Sequence, residues 1–567
     1  MVSVFSELKR RHVYRTAAFY AAAGWLLVQV ATQVAPYFDL PNWTIRLVIV
    51  AVVAGFPIAV LLSWHYEWSP STGWRREFDG SSEKPRATAT PDSLLQDDAG
   101  SAEAPSDQSI AVLSFADLSQ AKDQEYFSDG LAEELLNLLA QLPQLRVVAR
   151  TSSFSFKGKD VDAAAIGKAL KVATLLEGSV RKHGNTLRIN TQLIRAVDNS
   201  HLWSQTYDRE LTDVFKVQDE IAHAVVEALK VKLLPEQQLT NPHRTDNTSA
   251  HDQYLLGQDV FRRGRYEDFR HAMAAFQRAV ELDPAYAAAY AGLAHAQNAV
   301  ADFCDDCERR AELQMQALTS ADRAIAIAPE LADGYVIRGR LRSRNLWNWL
   351  GALQDLERAL ELEPNSSEVR LQYGFVLQYV DRVSESLAIT KTETEDDPLS
   401  WLAWFFYGAL LRDTGKMADA RIALQRALDL NPESSWIRYV LGGLDLLEGK
   451  AEAALAIFLQ AGAPYRQAGI AMAEHSLGHE TESAQALAEL ETKYANGFSI
   501  QIADVQTWRG NHDAAFAALE SACTQTDSGL ARIRTNGFLF PLRGDPRYAA
   551  LLDRLAFPPA GATAADA

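Results

Sequence analysis

Five prolines close short runs in the second half of the chain, and their spacing limits what this half can fold into. The runs are AVELDP, AIAIAP, ALELEP, TETEDDP and ALDLNP, which end at Pro284, Pro329, Pro364, Pro398 and Pro432. The last three intervals are 35, 34 and 34 residues. Such a period indicates stacked helical hairpins, because proline ends each second helix before the next hairpin begins.

The clearest repeat copy runs from residue 401 to 432 and has the period of tetratricopeptide repeats. Its helix contacts are predicted to use small residues for close approach and larger ones for interlocking. These positions are Trp404, Gly408, Leu411, Ala420, Leu424, Ala427 and Pro432. Gly374 and Gly442 repeat Gly408 at intervals of 34. We therefore predict a helical solenoid with an inner groove for an extended or helical peptide.

The repeat array is predicted to cover residues 250–557 with two irregularities. The first proline interval is 45 residues, so an extra stretch near 302–310 lengthens one hairpin. Beyond residue 464 the pattern weakens, although 483–490 and 513–522 suggest two more hairpins. The segment 544–555 is predicted to be a helix that caps the exposed end.

Two apolar runs near the amino terminus predict membrane-spanning helices, at about 16–35 and 47–64. The first run has no charge, and its length at helical rise matches the hydrocarbon thickness of a bilayer. Trp43, Trp64 and Trp68 lie where aromatic side chains favour the headgroup layer. The alternative is a cleaved signal peptide followed by a single anchor.

Lysine and arginine placement predicts the orientation of this anchor, residues 1–76. Positive charges precede the first span and follow the second, whereas the intervening loop has only Arg46; they are Lys9, Arg10, Arg11, Arg15, Arg75 and Arg76. Because positive loops tend to stay inside, both soluble ends are expected in the cytoplasm, at a bacterial inner membrane. Residues 77–108 are rich in Ser, Ala, Pro, Asp and Glu, which predicts a disordered linker.

An α/β domain is predicted over residues 109–236, with two or three layers. Buried-strand character at 110–115 and 145–150 flanks a helical pattern at 130–142, which gives a β-α-β unit with a possible cap at Ser128 or Asp129. Further predicted elements are a helix at 162–172, a strand at 201–208 and a helix at 217–233. The segment 240–252 fits either a hinge or a short covered loop.

The stretch LLEGSVRKHGNTLRINTQLIR (175–195) predicts a β-hairpin that turns at Gly184 and Asn185. This register pairs Val180 with Ile189 on an apolar face and places Arg181 opposite Arg188 on the other. Facing like charges need relief from water, from an acidic neighbour or from a bound anion. Lys157 and Lys159, in the loop RTSSFSFKGK, would join the two arginines in a phosphate or carboxylate site.

Five segments of this domain resemble the TolB amino-terminal-like, FlgO-like domain of bacterial proteins. They are IAVLSFADLS, YFSDGLAEELLNLLAQL, LRVVARTSSFSFKGK, LLEGSVRKHGNTLRINTQLI and HLWSQTYDRELTDVFKVQDEIA. The leader ELKRRHVYRTAAFYAAAGWLLVQVA also resembles that of such proteins, while Ser114 departs from the usual proline. The resemblance implies an α/β fold associated with signalling modules, and it implies no catalytic residue.

Composition and motifs give little support for catalysis, cofactors or metals. Three cysteines fit a reducing compartment, and CDDC at 304–307 lacks the further ligands of a zinc site. HExxH, GxSxG, P-loop and GxGxxG patterns are absent from the sequence. The net charge of −18 argues against broad nucleic-acid binding. We therefore expect a non-enzymatic protein.

Four arginines share one short helix of the array, Arg338, Arg340, Arg342 and Arg344. They would either clamp an acidic partner tail or form a solvated face with carboxylate neighbours. Tryptophans at 347, 349, 401, 404 and 436 are expected to pack inside the array.

Two classes of function follow from these patterns. The first is a membrane-tethered scaffold for bacterial signalling, in which the repeat groove binds a protein or peptide partner. The second is a regulator whose α/β domain binds an anionic small molecule or nucleotide. A role in envelope assembly would apply if the soluble part were periplasmic, and a hidden enzyme would require metal bound at Cys304 and Cys307.

Overall fold

The computed structural model describes residues 66–69, 73–76, 108–229 and 244–563, apart from 121, 143, 184, 185, 211, 212, 305 and 560. The two predicted spans and almost all of the predicted linker lie outside these described residues. None of the helices in the described ranges has the length and apolar character needed to cross a membrane.

The chain divides into two compact units, Met1–Thr90 and Pro91–Ala567. In the first unit, β1 (Tyr66–Ser69) and β2 (Gly73–Arg76) form an antiparallel hairpin. This hairpin lies in the part of the predicted anchor that follows the second apolar run.

The second unit begins with a mixed β-sheet. Its strands are β3 (Ser109–Val112), β4 (Ala116–Asp117), β5 (Arg146–Val147), β6 (Thr174–His183), β7 (Thr186–Arg195) and β8 (Ser200–Glu210). The order is β5-β3-β6-β7-β8, with β4 also pairing with β6. β3 runs parallel to β5 and β6, whereas β6, β7 and β8 form an antiparallel meander. The predicted β-α-β unit is present, and the meander joins the two strands of the predicted hairpin to the strand predicted at 201–208.

Four helices accompany the sheet: α1 (Glu125–Ala140), α2 (Arg150–Phe154), α3 (Ala163–Leu170) and α4 (Val214–Ala228). Helices α1 and α4 share a buried apolar cluster with one face of the sheet, through Val180 and Ile189 among others. Residues of α3 share a smaller cluster with the other face. The strands that α3 covers therefore lie between two helical layers.

Helix α1 begins earlier than the sequence pattern indicates. Ser128 and Asp129 lie inside the helix and are buried, so the prediction that one of them caps it is wrong. The residue before the helix, Gln124, donates its backbone N–H to the Asp117 carboxylate at 2.9 Å. The start of α1 is thus fixed by a side chain of β4, which the local sequence pattern does not show.

The β6–β7 register agrees with the prediction. Val180 lies opposite Ile189, and Arg181 lies opposite Arg188. Gly184 and Asn185, where the turn is predicted, lie outside the described residues. On the next strand, Asp208 lies opposite Arg188 and accepts two hydrogen bonds from its guanidinium, at 2.6 and 3.0 Å. This carboxylate relieves the charge repulsion between the two arginines.

Sixteen helices follow in described residues 248–524 and form eight antiparallel pairs. The first helices of the pairs are α5 (Thr248–Arg262), α7 (Ala287–Asp302), α9 (Ala332–Arg344), α11 (Ser367–Tyr379), α13 (Trp401–Asp413), α15 (Ser435–Leu447), α17 (Tyr465–Ser476) and α19 (Ser499–Trp508). The second helices are α6 (Tyr266–Leu282), α8 (Cys307–Ile327), α10 (Trp349–Leu362), α12 (Val383–Asp396), α14 (Met417–Leu430), α16 (Ala451–Phe458), α18 (Glu480–Lys493) and α20 (His512–Thr524). Most first helices also contact the first helix of the next pair. The first helices therefore line the inner face of the array.

The long proline interval has a simple structural origin. Helix α8 has 21 residues, whereas the second helices α10, α12 and α14 have 14 each. The additional residues extend the second hairpin, as the sequence predicts.

The array ends in two 3-10 segments, Ser528–Arg532 and Gly537–Gly544, followed by α21 (Pro546–Arg554). Residues 525–558, called the carboxyl-terminal segment below, contact hairpins near the beginning of the array. Arg310 donates to the carbonyl of Gln525 at 2.7 Å, and Arg344 donates to the Ser528 hydroxyl at 2.9 Å. The predicted closing helix thus forms part of a longer segment that packs back against the second and third hairpins.

Candidate protein-binding surface on the inner face of the array

The α/β domain docks onto the inner face of the array through α1. Six side chains of alternating charge connect α1, the α2 segment and α5: Glu125, Lys157, Asp129, Arg150, Glu133 and Arg262. Lys157 lies 2.6 Å from the Glu125 carboxylate and 2.7 Å from that of Asp129. Arg262, on the first repeat helix, donates to Glu133. These alternating ion pairs thus connect the α/β domain to the first hairpin of the array.

A second set of contacts lies on the neighbouring turns of α1. The Nε2 atom of buried His251 lies 2.8 Å from a carboxylate oxygen of Glu134, which also accepts a hydrogen bond from Gln218. Gly130 allows the closest approach, because a Cβ atom there would lie 2.7 Å from a methyl carbon of Leu255. Helices α1 and α5 therefore pack without space for an additional side chain.

The opposite side of the α/β domain contacts the end of α12. Ser152 donates its hydroxyl proton to the carboxylate of Asp397, and both residues are buried. Arg146 donates to the carbonyls of Lys171 and Asp396, each at 2.6 Å. Burial raises the pKa of Asp397 to about 6, although the hydrogen bond from Ser152 opposes that shift. The domain therefore extends across the inner face from the first hairpin to the end of the fourth.

A cavity of about 560 Å³ remains between the docked domain and the first four hairpins. Helices α1 and α4 form one side, and α5, α7 and the beginnings of α9 and α11 form the other. Its aromatic wall consists of Phe215, Tyr254, Phe261, Phe276 and Tyr286. Its volume lies within the range of small-molecule and side-chain pockets, which often form at domain interfaces. The cavity is thus a concave space bounded jointly by the array and the α/β domain.

Carboxylates converge on this cavity from several elements. Asp333 is exposed to the cavity, and its enclosure by the surrounding protein, together with the charges of Glu368 and Glu133, raises its pKa to about 7. Burial and the charges of Asp333 and Glu368 raise the pKa of Glu363 to about 8. His295 on the same wall has its pKa lowered by burial to about 3, so it is neutral at physiological pH. The cavity is therefore acidic and short of positive charge.

The carboxyl-terminal segment covers another part of the array. The Phe557 ring stacks on buried Trp349 with centroids 4.4 Å apart and planes 9° apart, and the Arg534 guanidinium lies 4.8 Å from the same ring. Trp349 Nε1 donates to the Leu555 carbonyl at 2.8 Å, and Arg534 donates to the Pro558 carbonyl at 3.0 Å. The Phe557 ring and the Leu555 carbonyl thus attach this segment to α10, while Arg534 holds the Pro558 carbonyl within the segment itself.

The four residues of the predicted anion site have different surroundings. Arg181 and Arg188 are cross-strand neighbours, and Arg188 is bound by Asp208. Lys157 is bound by two carboxylates of α1. Lys159 is exposed, with its ammonium 6.0 Å from the Phe156 ring centre. Two of the four cations therefore contribute to ion pairs within the domain.

The predicted repeat-packing residues lie within or between the helix pairs. Leu411, Ala420, Leu424 and Ala427 are buried, while Trp404 is half-buried and donates to the Pro398 carbonyl at 3.0 Å. Pro432 is exposed just beyond α14. A Cβ atom at Gly408 would lie 2.8 Å from Leu424, and one at Gly442 would lie 2.5 Å from Phe458. Gly374 is less constrained, since its nearest neighbours would be 3.7 Å away.

The four arginines of α9 have separate roles. Arg338 and Arg342 bind the buried carboxylate of Asp355 on α10, at 2.6 and 2.8 Å. Arg344 holds Ser528 of the carboxyl-terminal segment, and Arg340 influences the pKa of cavity residues His295 and Glu368. Asp333 and Glu363 stand at helix ends, where acidic residues are commonly exposed, and Asp355 lies in the middle of α10, so local sequence gives no sign of the role of any of the three.

The CDDC stretch lies at the junction of α7 and α8. Cys304 is half-buried and is a free thiol, as is Cys523. Among the described residues, no group of three histidine, cysteine, aspartate or glutamate side chains is arranged to hold a metal ion.

Comparison with known proteins identifies the repeats. Residues 402–434 match the family profile described as tetratricopeptide repeat. This segment contains α13 and α14, the hairpin with the clearest sequence pattern. The chain thus carries tetratricopeptide repeats (TPR), preceded by an α/β region.

A curated relative and two solved structures give further comparisons. A protein of Rhizobium meliloti (strain 1021) named "Putative adenylate cyclase 3" is 33% identical over 296 residues, which cover 52% of this chain and 46% of the relative. The match therefore spans about half the length of that relative. The structure of PilF from Pseudomonas aeruginosa is 18% identical, with 40% of this chain and 97% of that chain covered and a TM-score of 0.31. YrrB, described as a TPR protein with an unusual peptide-binding site, is 24% identical over 36% of this chain and 91% of its own, with a TM-score of 0.25.

Proposed function

We propose that this protein is a membrane-tethered scaffold of bacterial signalling that binds a partner protein on the inner face of its TPR array. The observation that carries the proposal is the array itself, eight helix pairs whose inner face keeps an open cavity beside the docked α/β domain. Stacked repeats of this kind present extended concave surfaces for proteins and peptides. The resemblance of residues 109–236 to the TolB amino-terminal-like, FlgO-like domain supports the signalling context.

Site-specific photo-crosslinking in the native bacterium tests partner binding. A photoreactive amino acid is introduced at Glu330, an exposed residue on the cavity wall, and separately at Ile422, which is 68% exposed on the second helix α14. We expect a discrete crosslinked protein at position 330 and none at position 422. If the same proteins were crosslinked at both positions, or if no protein were crosslinked at either, partner binding on the inner face would be contradicted.

The membrane tether and its orientation rest on the two apolar runs and on the flanking positive charges. Fusion of a fluorescent protein, and separately of a periplasm-dependent phosphatase, after Ala567 tests the orientation. Fluorescence without phosphatase activity supports cytoplasmic soluble domains. Phosphatase activity would instead favour a role in envelope assembly.

A second candidate function is regulation by an anionic small molecule or nucleotide. Arg181 is exposed opposite Arg188, and among the described residues it has no carboxylate partner of its own. Calorimetric titration of the full chain with phosphate and with ATP, repeated with Arg181→Ala, tests this function. Absence of binding, or binding unchanged by the substitution, would eliminate it. Cyclase activity is not carried over from the relative, since the match covers less than half of that protein.

A further inference from the structure

The cavity on the inner face has a large excess of negative charge. It is bordered by seven carboxylates: Glu133, Glu134, Asp219, Glu330, Asp333, Glu363 and Glu368. Against these stand three arginines: Arg244, Arg262 and Arg358. With His295 neutral, the lining has a formal charge of −4 when all the carboxylates are ionised.

The arginines of the cavity already have acidic partners. Arg262 binds Glu133, Arg244 binds Asp219 at 3.0 Å, and Arg358 binds Glu361 at 2.8 Å. Glu361 lies outside the cavity lining, so the third cavity carboxylate with a partner, after Glu133 and Asp219, is Glu134, which contacts His251 and Gln218. The excess charge is therefore concentrated on the remaining four carboxylates.

These four are Glu330, Asp333, Glu363 and Glu368, and none of them has an ion-pair partner in the part of the chain that the structure describes. They come from the α8–α9 connection, the first turn of α9, the end of α10 and the first turn of α11. Asp333 and Glu368 each raise the pKa of Glu363, which shows that their charges interact. A cation placed among them would replace repulsion by attraction.

The remainder of the wall suits the hydrocarbon part of a long cationic side chain. Tyr254 and Tyr286 pack together with centroids 5.2 Å apart, and Phe276 lies 5.8 Å from Tyr254. Lysine and arginine bury their methylene groups on apolar surfaces while the charged end reaches polar groups. Aromatic faces also attract such cations directly. The wall therefore offers apolar contact and negative charge within one cavity.

We propose that this cavity binds lysine or arginine side chains of a segment of the partner protein. The inference rests on the proposed scaffold function and specifies the chemistry of the partner. A volume of about 560 Å³ accommodates several side chains and far exceeds an inorganic ion. The surface belongs to the face of the array on which TPR proteins present their binding sites. Charge complementarity thus favours a basic segment over an acidic or an apolar one.

Peptide binding to the purified full chain in detergent tests this assignment. The probe is a fluorescein-labelled tetralysine peptide followed by fluorescence anisotropy, with a tetraglutamate peptide as the negative control. The test variant is Asp333→Asn/Glu363→Gln. The matched control is Glu433→Gln/Glu452→Gln, which removes the same charge at exposed positions outside the cavity lining.

At pH 8.5, where Asp333 and Glu363 are mostly ionised, we expect saturable tetralysine binding that weakens about tenfold or more in the test variant and changes less than about twofold in the control. The test variant should unfold at the same or a higher temperature, since it loses unpaired carboxylates. Equal weakening in both double variants would show diffuse attraction to an acidic protein and would overturn the inference. Absence of saturable binding would do the same.

The pH dependence provides an independent readout. The cavity carboxyls facing Asp333 and Glu363 are those named above, and the facing cations are Arg262, Arg340 and Arg358. His295 also faces the cavity but stays neutral over this pH range. Tetralysine affinity should rise between pH 6 and 8.5, where the raised pKa values of Asp333 and Glu363 place their ionisation. Diffuse attraction to ordinary carboxylates, which are ionised well below pH 6, would give a flat profile.

Two further results separate the inference from its alternatives. If spermidine binds as tightly as tetralysine with the same sensitivity to Asp333→Asn/Glu363→Gln, the ligand is a free amine and the partner assignment is wrong. If the crosslink at position 330 persists unchanged in that double variant, the scaffold function stands while the basic-segment inference fails. Loss of the crosslink in the double variant supports both.

Discussion

Ser152 and Asp397 lie 245 positions apart in the chain, yet the serine hydroxyl donates a hydrogen bond to the aspartate carboxylate in a buried contact. Ser152 belongs to the α/β domain, whereas Asp397 follows the second helix of the fourth repeat hairpin. The contact therefore joins the two parts of the unit at a point far from the chain connection between them. It makes the docking of the α/β domain experimentally accessible.

The substitution Asp397→Asn should change how stability depends on pH. The carboxyl has a pKa of about 6 in the folded chain and about 3.9 when unfolded, so the folded state binds more protons between these values. The free energy of unfolding of the wild type therefore falls as pH rises from about 4 to 6. Above about pH 6 the destabilisation caused by the ionised, buried carboxylate is fully present. The raised pKa corresponds to about 3 kcal/mol.

Denaturant unfolding of the full chain at pH 4, 5, 6 and 7.5 measures this difference. The variant should gain stability relative to wild type as pH rises, by up to about 3 kcal/mol. The exposed substitution Asp429→Asn serves as the control and should follow the wild type. An Asp397→Asn curve parallel to the wild-type curve across the window would contradict the assigned burial.

A methyl group at Gly130 should disturb the contact between α1 and α5. The added Cβ would lie 2.7 Å from Leu255, which is itself buried, so we expect a loss of about 1–3 kcal/mol. The helical control Gly374→Ala has room for its Cβ and should be neutral or stabilising by up to about 1 kcal/mol.

The double variant Gly130→Ala/Leu255→Ala identifies the cause of that loss. Removing the leucine methyl groups should make the alanine at position 130 much less costly than it is beside Leu255, in a double-mutant cycle of unfolding free energies. Additive effects would instead show that Gly130 acts through its own helix and not through the interface.

Truncation of the Phe557 side chain should release the end of the chain from α10. Phe557→Ala removes the ring between Trp349 and Arg534, while Trp349→Phe keeps a ring beside Phe557 but removes the donor to the Leu555 carbonyl and part of the buried indole. Amide hydrogen exchange in residues 551–559 should accelerate strongly in the first variant. The second variant should lose about 1 kcal/mol of protection. Unchanged exchange in both would show that the stacking does not hold this segment.

Local and periodic features of this fold could be predicted from the sequence. The register that places Arg181 opposite Arg188 follows from strand alternation and a two-residue turn, and the 34-residue period identifies the TPR hairpins. These features depend on neighbours within a few tens of residues. Asp208, which relieves the repulsion between the two arginines, lies on the next strand, and the hairpin sequence alone does not indicate this partner.

The candidate site could not be predicted in the same way. Its carboxylates Asp333, Glu363 and Glu368 lie at helix ends, where acidic residues are common on exposed surfaces. Only the stacking of hairpins and the docking of α1 bring them together with Glu133. These carboxylates lie two hundred or more positions from Glu133, and no pattern in a single sequence encodes such contacts directly.

The distance between the α/β domain and the end of the fourth repeat tests the central claim of a docked domain most directly. Spin labels at Lys171 and Glu395, both exposed, would lie on either side of Arg146, which binds the carbonyls of Lys171 and Asp396. With Cys304, Cys307 and Cys523 replaced by serine, double electron–electron resonance on the full chain measures their separation. A docked domain predicts a short and narrow distance distribution; a broad distribution extending to long distances would contradict it.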